Sequence, residues 1–350
     1  MLTAEFDYTL PSALIAQKPT LKRDHSRLMI LYYRSGKIEH AQFYGIDSYL
    51  KSNHLLVVNN TRVFPARLYA KKTTGGKLEI LLIEPTEVFS RWIAMIKPSA
   101  RIPEGTSVTL DGTSISLTIG EKTPHGNRTV DFGDGNDPIM IAERYGHMPL
   151  PPYIKRSRDT YEFDSIDHER YQTVFANTNG SVAAPTASLH FTDDILSRLK
   201  NRRIDISQIT LHVGPGTFLP VKSDRIEDHY MHSESFSIDT KTAEHINSSI
   251  TAGKEIVAVG TTVTRTLESN TDSSGHVTAG SGKTNLFIYP GYKFKTVKNM
   301  LTNFHLPKST LLMLVCALAG REFVMEAYHE AIRERYRFYS YGDAMLLLDK

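Results

Sequence analysis

Four short apolar runs constrain the fold of this chain more than any other feature of its sequence. They read HLLVVNN (54–60), QITLHVGPG (208–216), EIVAVGTT (255–262) and NLFIYPG (285–291), and each is bounded by a glycine or polar turn. Helical patterns such as TDDILSRLKNR and TKTAEHINSSI lie between some of them. Continuous apolar strands alternating with helices predict an α/β domain, in which a largely parallel sheet carries helices on both faces.

A different pattern interrupts this domain. RLYAKKTTGGKLEILLIE and SVTLDGTSISLTI each give two alternating strands around a glycine-containing turn, and RWIAMIK and RTVDF add two further strands. These strands predict an inserted small antiparallel β-barrel, followed by an extended connection in the proline-rich GHMPLPPYIKR. We therefore expect a discontinuous α/β domain formed by residues 1–61 and 150–350, and a barrel domain formed by residues 62–149.

Composition narrows the class of protein. A chain of 350 residues that is 40% hydrophobic and 23% charged is typical of globular proteins. A single cysteine, Cys316, excludes an internal disulfide and suits a reducing cytoplasm. The N-terminus lacks a basic region followed by an apolar core, and STLLMLVCALAG is too short to span a bilayer. We expect a cytoplasmic monomer that does not cross a membrane.

The glycine turns predict a binding crevice. Ligands of an open α/β sheet bind outside the carboxyl ends of the strands, where VGPG, VGTT and YPG would converge. VGTTVTRT further predicts a helix that starts directly after its strand, is capped by Thr261 or Thr262 and carries Arg265 in its first turn. The positive end of such a helix favours a carboxylate or a phosphate. No Walker loop or complete Gly-x-Gly-x-x-Gly motif occurs, so nucleotide-triphosphate and dinucleotide sites have no support.

A run of small residues, GSVAAPTASLHF (180–191), leads up to His190. Small residues let a main chain approach another backbone or a ligand closely. Two interpretations stay open, a tight turn beside a bound molecule and a close-packed turn in the core. With the glycine turns, this run completes the residues that we expect to bind substrate: Thr186, His212, Gly214, Gly216, Thr261, Thr262, Arg265 and Asn303.

Ionisable side chains are densest in DHYMHSESF (228–236). In an extended segment His232 and Glu234 point to one face, where the pair could share a proton or contact a cation. A solvated edge strand is the alternative. TNFHLPKST and SYGDAM also place polar residues in apolar or turn surroundings, where buried polar groups usually have a partner or a role. The candidate catalytic residues are His232, Glu234, His190, His305 and Asp343.

The charge balance does not by itself indicate a nucleic-acid binder, because 41 basic and 38 acidic residues give a net charge of only +3. Local clusters of basic residues are more informative. One of them, Lys155, Arg156 and Arg158, follows the proline-rich connection. It is either a solvated surface or a set of phosphate contacts to RNA.

An ordered set of motifs carries a family resemblance over nearly the whole chain. It includes FDYTLPSALIAQKP, VVNNTRVFPARL, GHMPLPPYIKR, GSVAAPTASLHFT, TLHVGPGTF, HYMHSESFSI, VAVGTTVTRTLES, LTNFHLPKSTLLMLV and YRFYSYGDAMLL. In this order they resemble the S-adenosylmethionine:tRNA ribosyltransferase-isomerase family of queuosine biosynthesis. The sequence departs from the pattern expected of that family at Asn60, Ser181, Ser188, Pro215 and Lys298, all modest changes in size.

The resemblance implies two substrates, S-adenosylmethionine as ribosyl donor and a tRNA with 7-aminomethyl-7-deazaguanine at its wobble position. The products would be epoxyqueuosine in tRNA, adenine and methionine. A sulfonium acidifies the neighbouring C5′ hydrogens, so a base can start the reaction and no metal or redox cofactor is required. It further implies that GSVAAPTASLHF forms a wall of the donor pocket, with His190 at its rim, and that Lys155, Arg156 and Arg158 contact tRNA.

Two other classes remain open at the level of the sequence. A metal-dependent hydrolase would use His229, His232 and Glu234 as ligands, although their spacing lacks the His-Glu-x-x-His pattern of helical zinc sites. A non-catalytic RNA-binding module would explain the barrel and the basic clusters but not the polar crevice. Release of adenine from S-adenosylmethionine would exclude the RNA-binding module, and a stoichiometric metal would favour the hydrolase.

Overall fold

A computed structural model describes residues 1–99, 102–124, 126–156, 163–214, 216 and 221–350 of the chain. The strands of the described residues are β1 Arg27–Tyr32, β2 Lys37–Gln42, β3 His54–Asn59, β4 Thr61–Val63, β5 Arg67–Lys72, β6 Lys77–Pro85, β7 Arg91–Lys97, β8 Thr106–Leu110, β9 Ser116–Lys122, β10 Arg128–Asp131, β11 Thr178–Ser181, β12 Asp205–Leu211, β13 Glu234–Ile238, β14 Glu255–Val259, β15 Gly280–Thr284, β16 Val297–Asn303 and β17 Ala344–Leu348. The α-helices are α1 Pro138–Tyr145, α2 Asp164–Arg170, α3 Asp193–Asn201, α4 Thr240–Thr251, α5 Thr261–Ser269, α6 Thr310–Ala319 and α7 Arg321–Arg333.

Nine of the described strands form one sheet, in the order β15-β13-β12-β3-β14-β16-β17-β1-β2. β12, β3, β14 and β16 run parallel to one another, and β1 runs parallel to β17. β16 and β17 pair antiparallel. The pairs at the two ends of the sheet are also antiparallel: β1 with β2, β12 with β13, and β13 with β15. The α/β class is confirmed, and the sheet is mixed, with its parallel strands in the centre.

The core lies on both faces of this sheet. Every residue of β3 is buried, as expected for a strand that is covered on two sides. On one face Leu56 and Val58 pack with α3, and on the other Leu55 and Val57 pack with α4 and α5. Helices α6 and α7 cover the part of the second face formed by β1, β16 and β17. The predicted helices on both faces are therefore present.

Side-chain caps set the starts of three helices that pack on the sheet. The Thr192 hydroxyl accepts a hydrogen bond from the Ile195 N–H at 3.3 Å and begins α3. Asp239 accepts from the Thr242 N–H at 2.8 Å at the start of α4, and Ser309 accepts from the Leu312 N–H at 3.2 Å at the start of α6. Each cap satisfies a backbone donor that the helix itself leaves without an acceptor.

The inserted barrel is confirmed. Strands β5 to β10 close in the order β10-β7-β6-β5-β8-β9, and every adjacent pair given by the register is antiparallel. Its interior holds alternating apolar residues such as Leu68, Ile80 and Val108, as the period-two pattern predicts. The domain boundaries at 61–62 and 149–150 remain a prediction; within the described residues the barrel strands lie between Arg67 and Asp131.

One predicted strand is wrong. NLFIYPG (285–291) is irregular, and the sheet position expected for it is held by β16, whose VKNMLTN sequence mixes polar and apolar residues. The segment still buries Ile288 and packs Leu286, Phe287 and Tyr289 against the core beside α6 and α7. An apolar run thus reflects burial here, while Pro290 removes a backbone donor that a central strand would need.

Candidate active site

The carboxyl ends of three parallel strands form a crevice, as the position of the glycine turns predicts. Val213 follows β12, Gly260 follows β14 and Asn303 ends β16, and all three line it. The YPG turn is not among its lining residues, because residues 285–291 are not a strand. The crevice has a volume of about 40 Å³. Since pockets for small molecules usually span about 300–1,000 Å³, its walls would have to separate to admit a nucleoside-sized ligand.

The run of small residues forms one wall of this crevice. Ala184, Pro185, Thr186 and Ala187 line it, so the main chain does approach the site closely. His190 does not lie at the rim. Its side chain is 4% exposed and sits behind the wall, where its ring packs on Phe43 at a centroid distance of 4.9 Å. The expected rim position is wrong, because residues 186–190 form a 3-10 helix in which His190 is buried and is not among the residues that line the crevice.

The helix predicted after β14 is present as α5, with a different cap. Gly260 is the N-cap residue and has φ +101°, a conformation that favours glycine, and no side chain caps the helix. Thr261 and Thr262 are its first two residues, and both line the crevice. The Thr262 hydroxyl oxygen is buried and has no hydrogen-bond partner among the described residues. The start of α5 therefore offers backbone and side-chain groups to a ligand.

Arg265 lies one turn into α5 and is 2% exposed. Its Nη2 forms an ion pair with the Glu234 carboxylate, whose other oxygen accepts from the Gly214 N–H at 3.1 Å. The remaining Arg265 donors, Nε and Nη1, are buried and have no partner within the ranges that the structure covers. A buried guanidinium with unused donors is a site for a carboxylate, because those donors otherwise lose hydrogen bonds on burial.

The side chains near Glu234 include the imidazoles of His212 and His232. His232 is exposed, and its ring faces Gly216, where a Cβ would come within 2.9 Å of Cδ2. The Thr61 hydroxyl lies 2.9 Å from His212 Nδ1. Burial lowers the pKa of His212. A Cβ on Gly180 would likewise come within 2.8 Å of His212 Cε1. The glycines thus make room for imidazoles.

His305 lies in the crevice wall and is almost fully buried. The Thr302 hydroxyl is 2.8 Å from its Nε2, and burial lowers its pKa to about 3. Burial also lowers the pKa of His190 to about 3. Since a base must take up a proton during the reaction, these environments disfavour both residues for that role.

Asp343 is buried away from the crevice lining. Its two carboxylate oxygens accept from the Arg27 N–H at 2.8 Å and the Arg337 N–H at 2.7 Å. Burial raises its pKa. These bonds tie β1 to the turn that precedes β17, so the contacts of Asp343 are those of a residue that holds the chain in place.

Sequence reasoning missed the aromatic and hydroxyl groups that complete the crevice. Tyr153, Tyr339 and Ser340 line it, and the Tyr153 hydroxyl is 2.6 Å from that of Ser340. Tyr339 has φ +73°, an uncommon conformation for a residue other than glycine. No spacing rule links the proline-rich connection to residues 339–340, so only the fold brings them together.

A second cavity, with a volume of about 560 Å³, lies between the barrel and residues 147–156. Lys155 and Arg156 line it, and Arg158 lies outside the described residues. Arg156 forms a two-bond ion pair with Asp167, at 2.6 and 2.9 Å. We call this cavity the barrel cleft. The segment 151–155 separates it from the crevice, because Tyr153 lines the crevice while its neighbours line the cleft.

The alternative class, a metal-dependent hydrolase, would need a cluster of metal-ligating side chains. Over the described ranges, no group of three or more histidine, cysteine, aspartate or glutamate side chains is arranged to hold a metal ion. Glu234, one of the three proposed ligands, is instead committed to Arg265 and Gly214. A search of the described helices also finds none with the length and apolar character needed to cross a bilayer.

The chain is thus a mixed α/β protein with an inserted barrel and with a buried polar crevice at the carboxyl ends of its parallel strands. The model of the family described as queuosine biosynthesis protein matches residues 3–347. The chain belongs to this family.

Similar proteins cover the chain from end to end. It is 48% identical over 348 residues to the S-adenosylmethionine:tRNA ribosyltransferase-isomerase of Natranaerobius thermophilus, covering 99% of each chain. It is 47% identical over 350 residues to the protein of that name from Moorella thermoacetica, covering 99% of this chain and 100% of the other. Among solved structures, the S-adenosylmethionine tRNA ribosyltransferase of Thermotoga maritima is 37% identical, with 98% of this chain and 100% of that chain covered and a TM-score of 0.56.

Proposed function

We propose that this protein is an S-adenosylmethionine:tRNA ribosyltransferase-isomerase of the cytoplasm. It transfers and isomerises the ribosyl group of S-adenosylmethionine onto 7-aminomethyl-7-deazaguanine in tRNA, which yields epoxyqueuosine, adenine and methionine. The observation that carries the proposal is the full-length identity of 47–48% to proteins of that name. S-adenosylmethionine is a co-substrate in this proposal, and the chemistry requires no further cofactor.

The donor binds in the crevice in this proposal. Its adenine lies among the apolar and aromatic residues of the crevice, and its methionine carboxylate lies near Thr261, Thr262 and Arg265. The unused donors of Arg265 and the start of α5 support this placement, since both stabilise an anion. Thr186, His212, Gly214, Gly216 and Asn303 complete the predicted binding residues.

His232 is the candidate for the base that removes a C5′ proton. Of the three candidate histidines it is the exposed one, while His190 and His305 are buried and have pKa values of about 3. Glu234 acts beside it, and its contacts to Arg265 and the Gly214 N–H support a role in holding the Arg265 guanidinium in place. The base must be desolvated and oriented when the donor is bound, which closure of the crevice over the ligand would achieve.

The tRNA approaches through the barrel cleft in this proposal, with Lys155, Arg156 and Arg158 near its phosphates. The cleft is large, and the segment 151–155 contributes residues both to it and to the crevice. A wobble nucleotide placed there would therefore be close to the donor. The pairing of Arg156 with Asp167 means that this arginine would contact phosphate only if it shared or exchanged its partner.

The test is a reaction that contains the purified protein, S-adenosylmethionine and tRNA with 7-aminomethyl-7-deazaguanine at the wobble position. We expect adenine and methionine in the supernatant, and epoxyqueuosine among the nucleosides released from the tRNA, by mass spectrometry. A matched tRNA with guanine at that position is the control and should give none of the three. Absence of epoxyqueuosine with the modified tRNA would overturn the proposal.

A further inference from the structure

Three side chains form a buried chain of hydrogen bonds behind the crevice wall. The Ser26 hydroxyl is 2.7 Å from His190 Nδ1, and Asn303 Nδ2 is 3.1 Å from His190 Nε2. Exposed fractions are 1% for Ser26, 4% for His190 and 2% for Asn303. Of the three, only Asn303 lines the crevice.

The backbone decides which way the Asn303 amide points. Its nitrogen also donates to the carbonyl oxygens of Tyr339, at 3.3 Å, and Asp343, at 3.4 Å. Rotating the amide by half a turn would place its oxygen against these two carbonyl oxygens, which can only accept. The nitrogen therefore faces His190 and the two carbonyls, and the oxygen Oδ1 faces away from them.

The amide in turn fixes the imidazole. Because Asn303 Nδ2 can only donate, His190 Nε2 must accept, and the proton of the neutral ring lies on Nδ1, where it is donated to the Ser26 hydroxyl. Protonation of Nε2 would break the bond to Asn303. The residue that the sequence suggests as a catalytic base is thus engaged at both nitrogens.

Asn303 Oδ1 is left as a buried acceptor. It has no hydrogen-bond partner among the residues that the structure describes. A buried amide oxygen without a donor is unfavourable, so its position at the crevice calls for a ligand with an N–H group.

The lining of the crevice identifies the kind of N–H group. Phe304, Leu306, Leu311 and Tyr339 supply apolar and aromatic surface, and the described lining residues include no aspartate or glutamate. A neutral amino group on a flat aromatic base fits such a site better than an ammonium, which needs a carboxylate or water when it is buried.

We propose that Ser26 and His190 are positioning residues that orient the Asn303 amide, so that its oxygen accepts a hydrogen bond from the exocyclic amino group of the donor's adenine. This inference rests on the proposed use of S-adenosylmethionine and adds a specificity element to that site. It also removes His190 from the candidates for the C5′ base.

The test compares the binding of two ligands by calorimetry, S-adenosylmethionine and its analogue with hydrogen in place of the exocyclic amino group. The wild-type protein should bind the analogue about tenfold more weakly, the effect of one hydrogen bond. Asn303→Ala should lose this preference. His190→Phe keeps an aromatic ring beside Phe43 but has no acceptor, so it should reduce the preference below about twofold. His190→Gln should restore much of it, because a glutamine oxygen can accept from Asn303.

His245→Phe is the matched control, because the Ser207 hydroxyl contacts His245 Nδ1 at 2.8 Å and neither residue lines the crevice. It should keep the full preference. A folded His190→Phe protein with the wild-type preference would overturn the positioning role, and a preference that survives in Asn303→Ala would overturn the role of the amide. A third ligand is an analogue of S-adenosylmethionine that lacks the methionine amino group. If Asn303→Ala abolishes the difference in affinity between S-adenosylmethionine and this third ligand instead, the adenine assignment is wrong.

A measurement without ligand separates this inference from the proposed function. The ¹⁵N shifts of the His190 ring in the full chain should show the neutral form protonated at Nδ1 between about pH 5 and pH 8. Protonation at Nε2 would overturn the inference even if the variants fail to fold. Failure of the wild-type protein to bind S-adenosylmethionine would overturn the proposed function and the adenine contact together.

Discussion

Arg265 shows at the scale of one residue how the fold buries a guanidinium without using all of its donors. Its pairing with Glu234 offsets part of the cost of burying a guanidinium, and its Nε and Nη1 remain without partners in the described part of the chain. A ligand carboxylate would supply the missing acceptors, and such charge-assisted hydrogen bonds are the strong ones. The sequence predicts the anion site but not its partner Glu234, which lies 31 positions earlier in the chain.

Removal of Arg265 should therefore weaken donor binding. A charged hydrogen bond contributes about 1.5 to 3 kcal/mol, so Arg265→Ala should raise the dissociation constant for S-adenosylmethionine roughly tenfold or more in calorimetry. The substitution removes the arginine that forms an ion pair with the buried Glu234, so Arg265→Ala combined with Glu234→Gln provides a version without that buried negative charge. Arg34→Ala, which removes an exposed arginine paired with Asp349, is the control. Unchanged affinity in the double variant would exclude Arg265 from the site.

His232 should matter for turnover rather than for binding. Positioned general bases contribute about a hundredfold to ten-thousandfold, so His232→Ala should lose turnover on that order while donor affinity is retained. The measurement is exchange of C5′ deuterium from labelled S-adenosylmethionine into solvent in the presence of substrate tRNA. His229→Ala, in the same segment, is the control. Wild-type exchange in the His232 variant would place the base elsewhere.

At the scale of elements, glycines set how closely the crevice segments approach each other. Gly180, in β11, has φ +140° and faces the His212 ring. An alanine there would place its Cβ 2.8 Å from His212 Cε1 and adopt a strained backbone. We expect Gly180→Ala to lower the free energy of unfolding by about 1–2 kcal/mol in urea titrations.

Gly45 offers the comparison for that experiment. A Cβ at Gly45 would meet nothing within 4 Å, and its φ lies outside the positive range. Gly45→Ala should leave stability within about 0.5 kcal/mol of wild type or raise it slightly. Equal stability of the two variants would show that the contact of Gly180 with His212 is unimportant.

Elements with a strong local pattern could be predicted from the sequence, and contacts between distant segments could not. The barrel strands and the helix after β14 follow from alternation and from turn residues, which are local. β16 was missed because it carries Lys298, Asn299, Thr302 and Asn303 among its apolar residues. The Ser26, His190 and Asn303 chain joins three segments, so no spacing within one segment could indicate it.

The run GSVAAPTASLHF indicates the location of the crevice correctly, although the position expected for its histidine is wrong. Residues 184–187 of GSVAAPTASLHF line the crevice, whereas His190 does not line it and instead contacts Asn303. A run of small residues indicates that the main chain closely approaches another group, but it does not indicate on which side of the chain a ligand would bind. The roles of the candidate residues stay predictions until the variants are measured.

For the whole molecule, the basic cluster beside the barrel cleft should govern tRNA binding. If Lys155, Arg156 and Arg158 contact phosphates, replacing all three with alanine should weaken binding of modified and unmodified tRNA alike. Each lost contact should flatten the dependence of log affinity on log salt by about 0.7 to 0.9. A control that replaces the exposed Lys51, Lys241 and Lys298 changes the net charge equally. A salt dependence equal to wild type in the first variant would show that the cluster is solvated surface.

Arg156 needs a separate measurement, because its ion pair with Asp167 also joins the connection to α2. The Tyr341 hydroxyl donates to the same carboxylate at 2.9 Å. Arg156→Ala should remove the ion-pair partner of Asp167 and lower the free energy of unfolding by roughly 1–3 kcal/mol. Lys155→Ala should leave the free energy of unfolding unchanged. Urea titration of both variants separates a loss of stability from a loss of tRNA contacts.

The location of the donor is the central claim, and a crystal structure of the protein with S-adenosylmethionine tests it most directly. We expect the donor in the crevice, with its adenine amino group at hydrogen-bond distance from Asn303 Oδ1 and its carboxylate beside Arg265 and the start of α5. The walls formed by residues 184–187 and 339–340 should stand farther apart than in the ligand-free protein. A donor bound in the barrel cleft, with the crevice unchanged, would contradict the account.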